Sequence, residues 1–495
     1  MLNECLNMSA LKLSNLIKTK QLSVYEVVSA HIERSQYCNP YINAIVCKHF
    51  EEALLYAKKL DQCRKIDEQQ IFYGVPFTVK ESIAVKDKRN TSGSLYRKNH
   101  IANSHATSVD RLLNAGAIII GQTNLSELAL WPECNNLIYG RTNNPHNLHH
   151  TSGGSSGGDA AIVACGGVPF GLGTDGGGSI RIPAACCGVF GHKSSSKYIP
   201  MTGHLPLDNY WINYKKSQFI ARFFSIGPIC RKAEDIFPIL SIISGPDGKD
   251  KNITNKFSYF RKLSSFDEIK IYCIDFNIHP LLKKANKEVK TALRTSVKLL
   301  ESAGATTIYL GNNILYQACE LWFEIFQITE ELNIHYLVNE NRSLLSELFK
   351  LTLGKKQLMF STIIMLIMEK FPKKKKMIID FLYKKNKISS QINKYLSPQN
   401  VLLLPTLPTS SVKHHQTYFS PFNFLYCGLF NVLELPATSI PISWSKTYNL
   451  PISIQAICAH GKDHISISVA CFLEKMLGGW KLPNLVKNIH NTTLG

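Results

Sequence analysis

Apolar positions recur at helical spacing near the start of the chain. From Val24 to Ile32 they fall on one face of a helix, and Ser23-Val-Tyr-Glu26 is the capping box with which such a helix begins. Ser9 predicts the cap of an earlier helix in the same way. Residues 1–60 are therefore expected to form an N-terminal helical arm.

Farther along, short apolar runs of strand length alternate with helical patterns. Strands are predicted at 117–120, 269–276, 306–310, 401–404 and 452–457, and helices at 107–116 and 287–304. Parallel strands need a crossover helix between them. The alternation therefore predicts an α/β fold with a mixed, mostly parallel twisted sheet and helices on both faces.

Length and composition favour one large domain over residues 1–495. The chain is 45% apolar, no Pro/Gly/Ser linker divides it, and no repeat is evident. The first thirty residues lack the apolar segment of a signal peptide, and no stretch reaches the ~18 apolar residues that span a bilayer. We expect an intracellular protein, either cytoplasmic or peripheral on a membrane.

The net charge of +20 favours anionic partners, which include nucleic acid and anionic lipid. The apolar segment 358–368 lies between Lys355-Lys356 and a run of lysines at 373–376. A short apolar helix with basic flanks suits a peripheral membrane contact around 355–376, although a buried helix with a solvated charge run is the alternative. Nucleic acid is not expected, because aromatic residues are not interleaved with the charges and no binding module is recognised.

Metal-binding patterns are weak in this sequence. The fourteen cysteines include no C-x-x-C pair, and at this chain length they do not indicate a disulfide framework. The pairs His149-His150 and His414-His415 are more typical of loops than of metal ligands. No metal and no cofactor are expected.

Three glycine-flanked motifs carry the candidate chemistry. An apolar run from Gly74 predicts a buried strand that ends in Lys80. The segment Thr151-Ser-Gly-Gly-Ser-Ser-Gly-Gly158 contains Ser155, and Gly173-Thr-Asp-Gly-Gly-Gly-Ser-Ile-Arg181 contains Ser179. Gly-Ser runs alone are typical of flexible linkers. Here, however, the intervening segment 160–173 is apolar and rich in small residues, as in a buried helix and strand. The serines are therefore expected inside a core.

Two other motifs overlap these residues. Gly153-Gly-Ser-Ser-Gly157 fits the G-x-S-x-G turn of α/β-hydrolases, but that turn follows a strand, and 147–152 is polar. Gly171-Leu-Gly-Thr-Asp-Gly176 fits the dinucleotide motif G-x-G-x-x-G, yet no Asp or Glu lies between Gly176 and Asp208 to hold a ribose at the expected spacing. Both alternatives are disfavoured.

In these motifs the chain resembles the amidase signature family, most densely over 74–206, the expected catalytic core. The resemblance implies amide hydrolysis by a Ser-Ser-Lys triad in which Ser179 is the nucleophile, Ser155 the proton bridge and Lys80 the base. It also implies a cis peptide bond before Ser155. Lysine titrates near ~10.4 in water, so Lys80 can act as a base at neutral pH only if burial or positive charge depresses its pKa.

The residues around the nucleophile have expected roles as well. Backbone N–H groups can converge on the oxyanion of acyl transfer, and the candidates are those of Gly176, Gly177, Gly178 and Ser179. Asp175 and Arg181 flank this loop and are expected to pair. Ser156 is expected to support Lys80 from behind.

Within the family, the segments Ser126-Glu-Leu-Ala-Leu-Trp131 and Ile138-Tyr-Gly-Arg-Thr-Asn-Asn-Pro145 are most similar to fatty-acid amide hydrolases of the second type. That similarity implies a small-molecule amide substrate, in the first place a lipid amide. Residues 257–400 carry little similarity and are expected to be a variable region facing the substrate or a membrane. A homodimer is a further expectation.

Two departures from the family pattern leave other functions open. Gly176 stands where many members have a larger apolar residue, which is expected to loosen the oxyanion loop. The segment Ser194-Ser-Ser196 replaces the Pro-Ser or Pro-Thr that usually follows the position of Lys193. These departures permit a catalytically idle acyl-binding protein as one alternative. The other alternative, which shares the same motifs, is the glutaminase-type subunit of a tRNA-dependent amidotransferase.

Overall fold

The computed structural model describes residues 2–63, 67–205, 221–257, 263, 265–274, 279–311, 313–328, 338, 346–347, 350, 353–369, 377–396 and 399–487. Within these ranges eleven strands, β1 to β11, form one sheet: Ile45–Lys48, Pro76–Lys80, Ile118–Thr123, Phe170–Asp175, Phe190–Lys193, Ser225–Cys230, Lys270–Ile274, Thr306–Leu310, Val401–Pro405, Ala437–Trp444 and Pro451–Ile457. Two short ribbons pair Asn135–Asn136 with Gly140–Arg141 and Asn143–Asn144 with Asn147–Thr151.

The helices of the described ranges are α1 to α15: Leu2–Cys5, Ala10–Lys18, Val24–Ile42, Phe50–Asp61, Thr107–Asn114, Gly157–Ala164, Arg181–Cys187, Ile236–Ile243, Lys287–Ser302, Asn313–Ile328, Phe360–Glu369, Met377–Tyr395, Leu425–Val432, Asp463–Leu477 and Asn484–Lys487. Short 3-10 turns lie at Leu95–Arg97, Glu127–Ala129, Ala233–Asp235, Gln416–Phe419 and Pro421–Phe424. None of the helices described here combines the length and apolar content that crossing a bilayer requires.

Both predicted N-terminal caps are confirmed. The Ser9 hydroxyl accepts the Lys12 N–H at 3.2 Å at the start of α2. At the start of α3, Ser23 accepts the Glu26 N–H and its own N–H donates to the Glu26 carboxylate, which completes the capping box. The apolar faces of both helices join the largest apolar cluster of the molecule, so the arm is packed on the core.

The strand order is β1-β3-β2-β4-β6-β5-β10-β11-β9-β7-β8. The mixed α/β class is confirmed, and the predicted strands and helices at 107–123, 269–274, 287–310, 401–404 and 452–457 form within one to three residues of their expected limits. The last two residues of the strand predicted at 269–276 lie outside the described residues.

The expectation of a mostly parallel sheet is wrong, because only four of the ten neighbouring pairs are parallel. Parallel pairs form where a helix connects the strands, as in β2-α5-β3 and β7-α9-β8. The strands β10 and β11 are joined by a short turn instead, which permits only antiparallel pairing. The sequence pattern identified the crossover units but not these direct connections.

The parallel strands β2, β3 and β4 bring their carboxyl ends to one edge of the sheet. Lys80 ends β2 in register with Thr123, the last residue of β3, and Asp175 ends β4. Helices α6 and α7 begin just after the loops that carry Ser155 and Ser179. In open α/β sheets this edge is where ligands bind.

Candidate active site

Lys80 lies fully buried at the end of β2, where its amine contacts two hydroxyl groups. The Nζ atom donates to Ser155 Oγ at 2.6 Å and to Thr174 Oγ1 at 2.9 Å. The structure thus brings together a lysine and a serine that are 75 residues apart in sequence. Thr174 was not predicted, although it belongs to the same segment, 173–181, as Ser179 and could have been found there.

Burial changes the acid–base behaviour of this lysine. It lowers the pKa of Lys80 to about 7, an effect that the nearby Asp159 and Asp175 carboxyl groups partly oppose. An amine with such a pKa is neutral in a substantial fraction of molecules at neutral pH. It can then accept a proton from the hydroxyl group that it contacts.

Ser155 follows a cis peptide bond from Gly154, as the family resemblance implies. The backbone here is crowded: a Cβ on Gly154 would come within 2.6 Å of the Glu133 nitrogen and the Trp131 carbonyl oxygen. Only glycine avoids these contacts with neighbouring backbone. The Ser155 side chain is itself fully buried, with the lysine amine on one side and the cavity described below on another.

Ser179 lies in the loop between β4 and α7, borders the same cavity as Ser155 and is more exposed than Ser155. Its carbonyl oxygen accepts the Ser156 N–H at 3.1 Å, which ties the two serine loops together. Ser156 Oγ exchanges hydrogen bonds with the backbone N–H and carbonyl of Thr174. Ser156 therefore reaches Lys80 through Thr174 and not by direct contact.

Asp175 and Arg181 form an ion pair across the loop that carries Ser179. Nε and Nη2 of the fully buried Arg181 donate to the two carboxylate oxygens at 3.0 and 3.1 Å. Burial alone would raise the pKa of Asp175, but the guanidinium holds it well below its usual range. The remaining Arg181 donors are taken up by the Cys427 carbonyl, Asn431 and Gln455, residues that the sequence patterns did not single out.

One predicted oxyanion donor has another role. The Gly178 N–H donates to an Asp175 carboxylate oxygen at 2.7 Å, and Gly178 has a φ of 115°, a conformation that favours glycine. The assignment of Gly178 as a donor to the oxyanion is therefore wrong in this geometry, because its N–H is already bonded. The N–H groups of Gly176, Gly177 and Ser179 have no hydrogen-bond partner among the residues that the structure describes. Those three remain for an oxyanion.

Phe224 occupies the space that a larger residue at 176 would need. A Cβ on Gly176 would lie 2.3 Å from the Phe224 ring, and both residues border the cavity. The Phe224 ring also lies 6.4 Å from that of the buried His204. An aromatic side chain thus packs against the loop at the point where glycine was expected to loosen it.

The three serines at 194–196 replace a proline turn with hydrogen bonds. Ser194 Oγ lies 2.6 Å from Ser225 Oγ, and Ser196 Oγ donates to the Arg222 carbonyl at 2.6 Å. The Ser195 N–H donates to the buried Asp463 carboxylate at 2.8 Å. These contacts hold the segment in place without the ring of a proline.

A cavity of about 290 Å³ opens above Ser155 and Ser179. Its walls are almost entirely apolar and aromatic, and no charged side chain occurs among the described residues that line it. Contributors from distant parts of the chain include Leu130, Phe223, Trp322, Phe360, Met365 and Phe424. Ser155, Ser179 and Thr174 place hydroxyl groups at one end of the cavity, called the reactive end below, and Tyr418 contributes another hydroxyl group to the described lining.

The described residues contain no group of three or more His, Cys, Asp or Glu side chains that could hold a metal ion. His414 and His415, one of the two histidine pairs, instead contact the Glu133 carboxylate beside the cavity wall. The side-chain hydrogen bonds of Lys80 at the site join its buried amine to the Ser155 and Thr174 hydroxyl groups.

Known proteins share both the sequence and the fold. The Amidase family model matches residues 26–465. Fatty-acid amide hydrolase 2-B of Danio rerio is 33% identical over 501 residues, which covers 98% of this chain and 92% of that protein. A glutamyl-tRNA(Gln) amidotransferase subunit of Sulfurihydrogenibium sp. is 30% identical over 470 residues, with coverages of 90% and 92%.

A solved structure of 6-aminohexanoate cyclic dimer hydrolase, complexed with substrate, superposes with a TM-score of 0.80 at 22% identity and covers 97% of this chain and 99% of that chain. The family model spans nearly all of the sheet and both serine loops. The chain therefore belongs to the amidase signature family and is an amide hydrolase.

Proposed function

We propose that this amidase cleaves long apolar amides, in the first place fatty-acid amides, with Ser179 as nucleophile, Ser155 as proton bridge and Lys80 as base. The observation that carries the proposal is an apolar cavity whose reactive end holds both serines, with the buried amine 2.6 Å from the bridging hydroxyl. Each group has the chemistry that its role requires.

The acylation step begins with neutral Lys80. Its amine takes the Ser155 proton while Ser155 takes the proton of Ser179, and the Ser179 oxygen attacks the amide carbonyl. The developing negative charge on the carbonyl oxygen is bound by the free backbone N–H groups at Gly176, Gly177 and Ser179. The proton then returns through Ser155 to the leaving nitrogen, and the C–N bond breaks to leave an ester on Ser179.

Water completes the reaction by the same route in reverse. It gives a proton to the relay as it attacks the ester, and the Ser179 oxygen regains a proton when the acid leaves. Atoms and charges balance, because one water and one amide give one acid and one amine. The buried amine ends the cycle in its neutral form.

The lining of the cavity favours apolar substrates over glutamine. Free glutamine carries an ammonium and a carboxylate group, and burying either without a partner costs several kcal/mol. The described lining offers no charged side chain to pair with them. The relatives named fatty-acid amide hydrolase 2 support the same choice over those named as amidotransferase subunits.

A substrate panel tests this function. Purified protein is incubated with oleamide, an N-acylethanolamine, a short-chain anilide and glutamine, and kcat/KM is measured for each. We expect the long-chain amides to be preferred by at least about tenfold, which is roughly 1.4 kcal/mol of additional transition-state binding. Preference for glutamine, or turnover that depends on an added partner subunit, would instead support the amidotransferase alternative. Long-chain binding without turnover would support the idle binding protein.

We also propose that the protein contacts a membrane around the mouth of this cavity. Helix α11 lines the cavity with some residues and exposes others, since Phe360 is 46% and Ile367 39% accessible. Nearby Phe419 is 87% accessible, and Lys355 and Lys356 are exposed just before the helix. An apolar patch with basic neighbours suits an anionic lipid surface. The lysines at 373–376 lie outside the described residues.

Vesicle flotation tests the membrane contact. Binding to vesicles with 30% phosphatidylserine is expected to fall with salt and to weaken in Phe419→Ser, because both charge and apolar insertion contribute. Leu55→Ser removes a comparable exposed apolar side chain at α4 and serves as the control, with unchanged binding. Equal binding by all three proteins, or none at low salt, would contradict the proposal.

Homodimer formation stays a prediction, which light scattering of the purified protein tests.

A further inference from the structure

One wall of the cavity is a short segment in an uncommon backbone conformation. Leu128 and Ala129 have φ values of 54° and 59°, a region that residues other than glycine rarely adopt. Both residues border the cavity, as do Leu130 and Trp131, which follow them. This segment is therefore part of the binding surface.

A second wall comes from helix α11, through Phe360, Ile364 and Met365. Its packing is separate from the two large apolar clusters of the protein. The inner face of α11 forms a third, small cluster with Leu128, whose other buried members are Val338, Leu358, Ile363, Met365 and Leu366. Among the described residues, this helix contacts the wall at 128–131 through Leu128 and Leu130 of the small cluster and through Tyr418, whose ring lies 5.5 Å from that of Phe360 and 5.0 Å from that of Trp131.

Glu127 supplies a polar connection between the two walls. Its carboxylate is 2% exposed, and one oxygen accepts both the Met359 N–H at 2.8 Å and the Thr362 hydroxyl. Met359 directly precedes α11, and Thr362 lies in its first turn. The second carboxylate oxygen has no partner in the described part of the chain, so the hydrogen bonds of this side chain go to the helix alone.

We propose that Glu127 is a positioning residue that holds α11 over the cavity and thereby sets the length of acyl chain the enzyme accepts. This inference rests on the proposed function, because it assumes that the acyl chain occupies the cavity. The residues of the reactive end lie on other elements: Lys80 on β2, and Ser155 and Ser179 in the loops before α6 and α7. A shift of α11 should therefore penalise long chains and spare short ones.

Three variants separate positioning from general stability. Glu127→Ala removes the acceptor and leaves the buried Thr362 hydroxyl without it. Glu127→Gln keeps an acceptor oxygen of nearly the same size, and Thr362→Val removes one donor only. For each we measure the rate at which Ser179 is labelled by hexadecyl and by ethyl fluorophosphonate, with circular dichroism and urea unfolding as checks of the fold.

We expect Glu127→Ala to lower the ratio of long-chain to short-chain labelling about tenfold, as the loss of a buried hydrogen-bond acceptor that leaves its donor unsatisfied implies. Glu127→Gln should retain the ratio within about threefold, and Thr362→Val should lie between them. If Glu127→Ala leaves the ratio unchanged, whether the two labelling rates stay the same or fall by the same factor, the proposal is overturned. If Glu127→Ala does not fold, Thr362→Val decides by the same criterion.

The same variants distinguish this inference from the proposed function. If the wild type hydrolyses no long-chain amide while the labelling ratio changes as expected, the substrate is wrong and the role of Glu127 stands. If the substrate panel succeeds and the ratio is unchanged, Glu127 has no positioning role. Binding of cis-parinarate, a fluorescent C18 acid, repeats the comparison without a nucleophile: a weaker affinity in Glu127→Ala supports the proposal, and equal affinity contradicts it.

Discussion

The pH dependence of turnover follows directly from the burial of Lys80. A base must be deprotonated to act, and the pKa of this amine is lowered to about 7 by burial. The neutral fraction is then about 0.1 at pH 6, about 0.5 at pH 7 and about 0.9 at pH 8. For an ordinary lysine with a pKa of ~10.4, it would be roughly 1 in 2,500 at pH 7.

We therefore expect kcat/KM to rise about tenfold from pH 6 to pH 8 and to level off above it, because activity is lost as pH falls through the folded pKa. Initial rates with a long-chain p-nitroanilide between pH 5.5 and 9.5 measure this, and circular dichroism at each pH excludes unfolding. Lys80→Ala should have low activity at every pH. A profile that is flat, or whose midpoint lies above about 9, would refute the reasoning.

A substitution at Asp159 tests the direction in which the midpoint of this pH profile moves. Its carboxyl is fully buried, accepts the Thr78 hydroxyl at 3.1 Å and raises the pKa of Lys80 when charged. Burial raises the pKa of Asp159 itself to about 7, so the two groups titrate together. Asp159→Asn keeps an acceptor oxygen and removes the charge. The midpoint of the profile should move to lower pH, and a move to higher pH would contradict the electrostatic account.

Three further perturbations act on the loops around the reactive end. Gly176→Ala should lower kcat/KM at least about tenfold, because the new Cβ would meet the Phe224 ring. Adding Phe224→Ala should restore much of the lost kcat/KM in steady-state kinetics. Equal kcat/KM values for the single and the double variant would contradict this steric explanation. Arg181→Leu should cost about 3–5 kcal/mol in urea unfolding, because Asp175 is left buried and unpaired, and an unchanged midpoint would speak against this. Thr174→Val should lower kcat about tenfold with KM within about twofold, since it removes one hydrogen-bond partner of Lys80, the proposed base. A change in KM alone would show a role in binding instead.

Much of the reactive end could be predicted because its residues lie in short, contiguous motifs. Ser155 and Ser179 stand in glycine-rich loops, and Lys80 ends an apolar run typical of a buried strand, which the structure shows as β2. Local patterns also gave the β2-α5-β3 unit that places the lysine at the sheet edge, since helix and strand periods are local signals. These candidate site residues could therefore be identified from segments of ten residues or fewer.

The rest depends on contacts between distant segments. Asn431 and Gln455 bond to Arg181 from about 250 positions away, and no local pattern marks them. Phe224 fills the space beside Gly176, so the effect of that glycine could not be judged from the loop alone. The prediction of a mostly parallel sheet was wrong for the same reason, because the period of a strand does not reveal which strands become its neighbours.

The central claim is that Ser179 is the nucleophile of an apolar-amide hydrolase. The most direct test is to label the purified protein with a long-chain fluorophosphonate and identify the modified peptide by mass spectrometry. We predict a single modification on Ser179, blocked by prior incubation with oleamide and absent in Ser179→Ala. Modification of another serine, or labelling that persists in Ser179→Ala, would contradict the account.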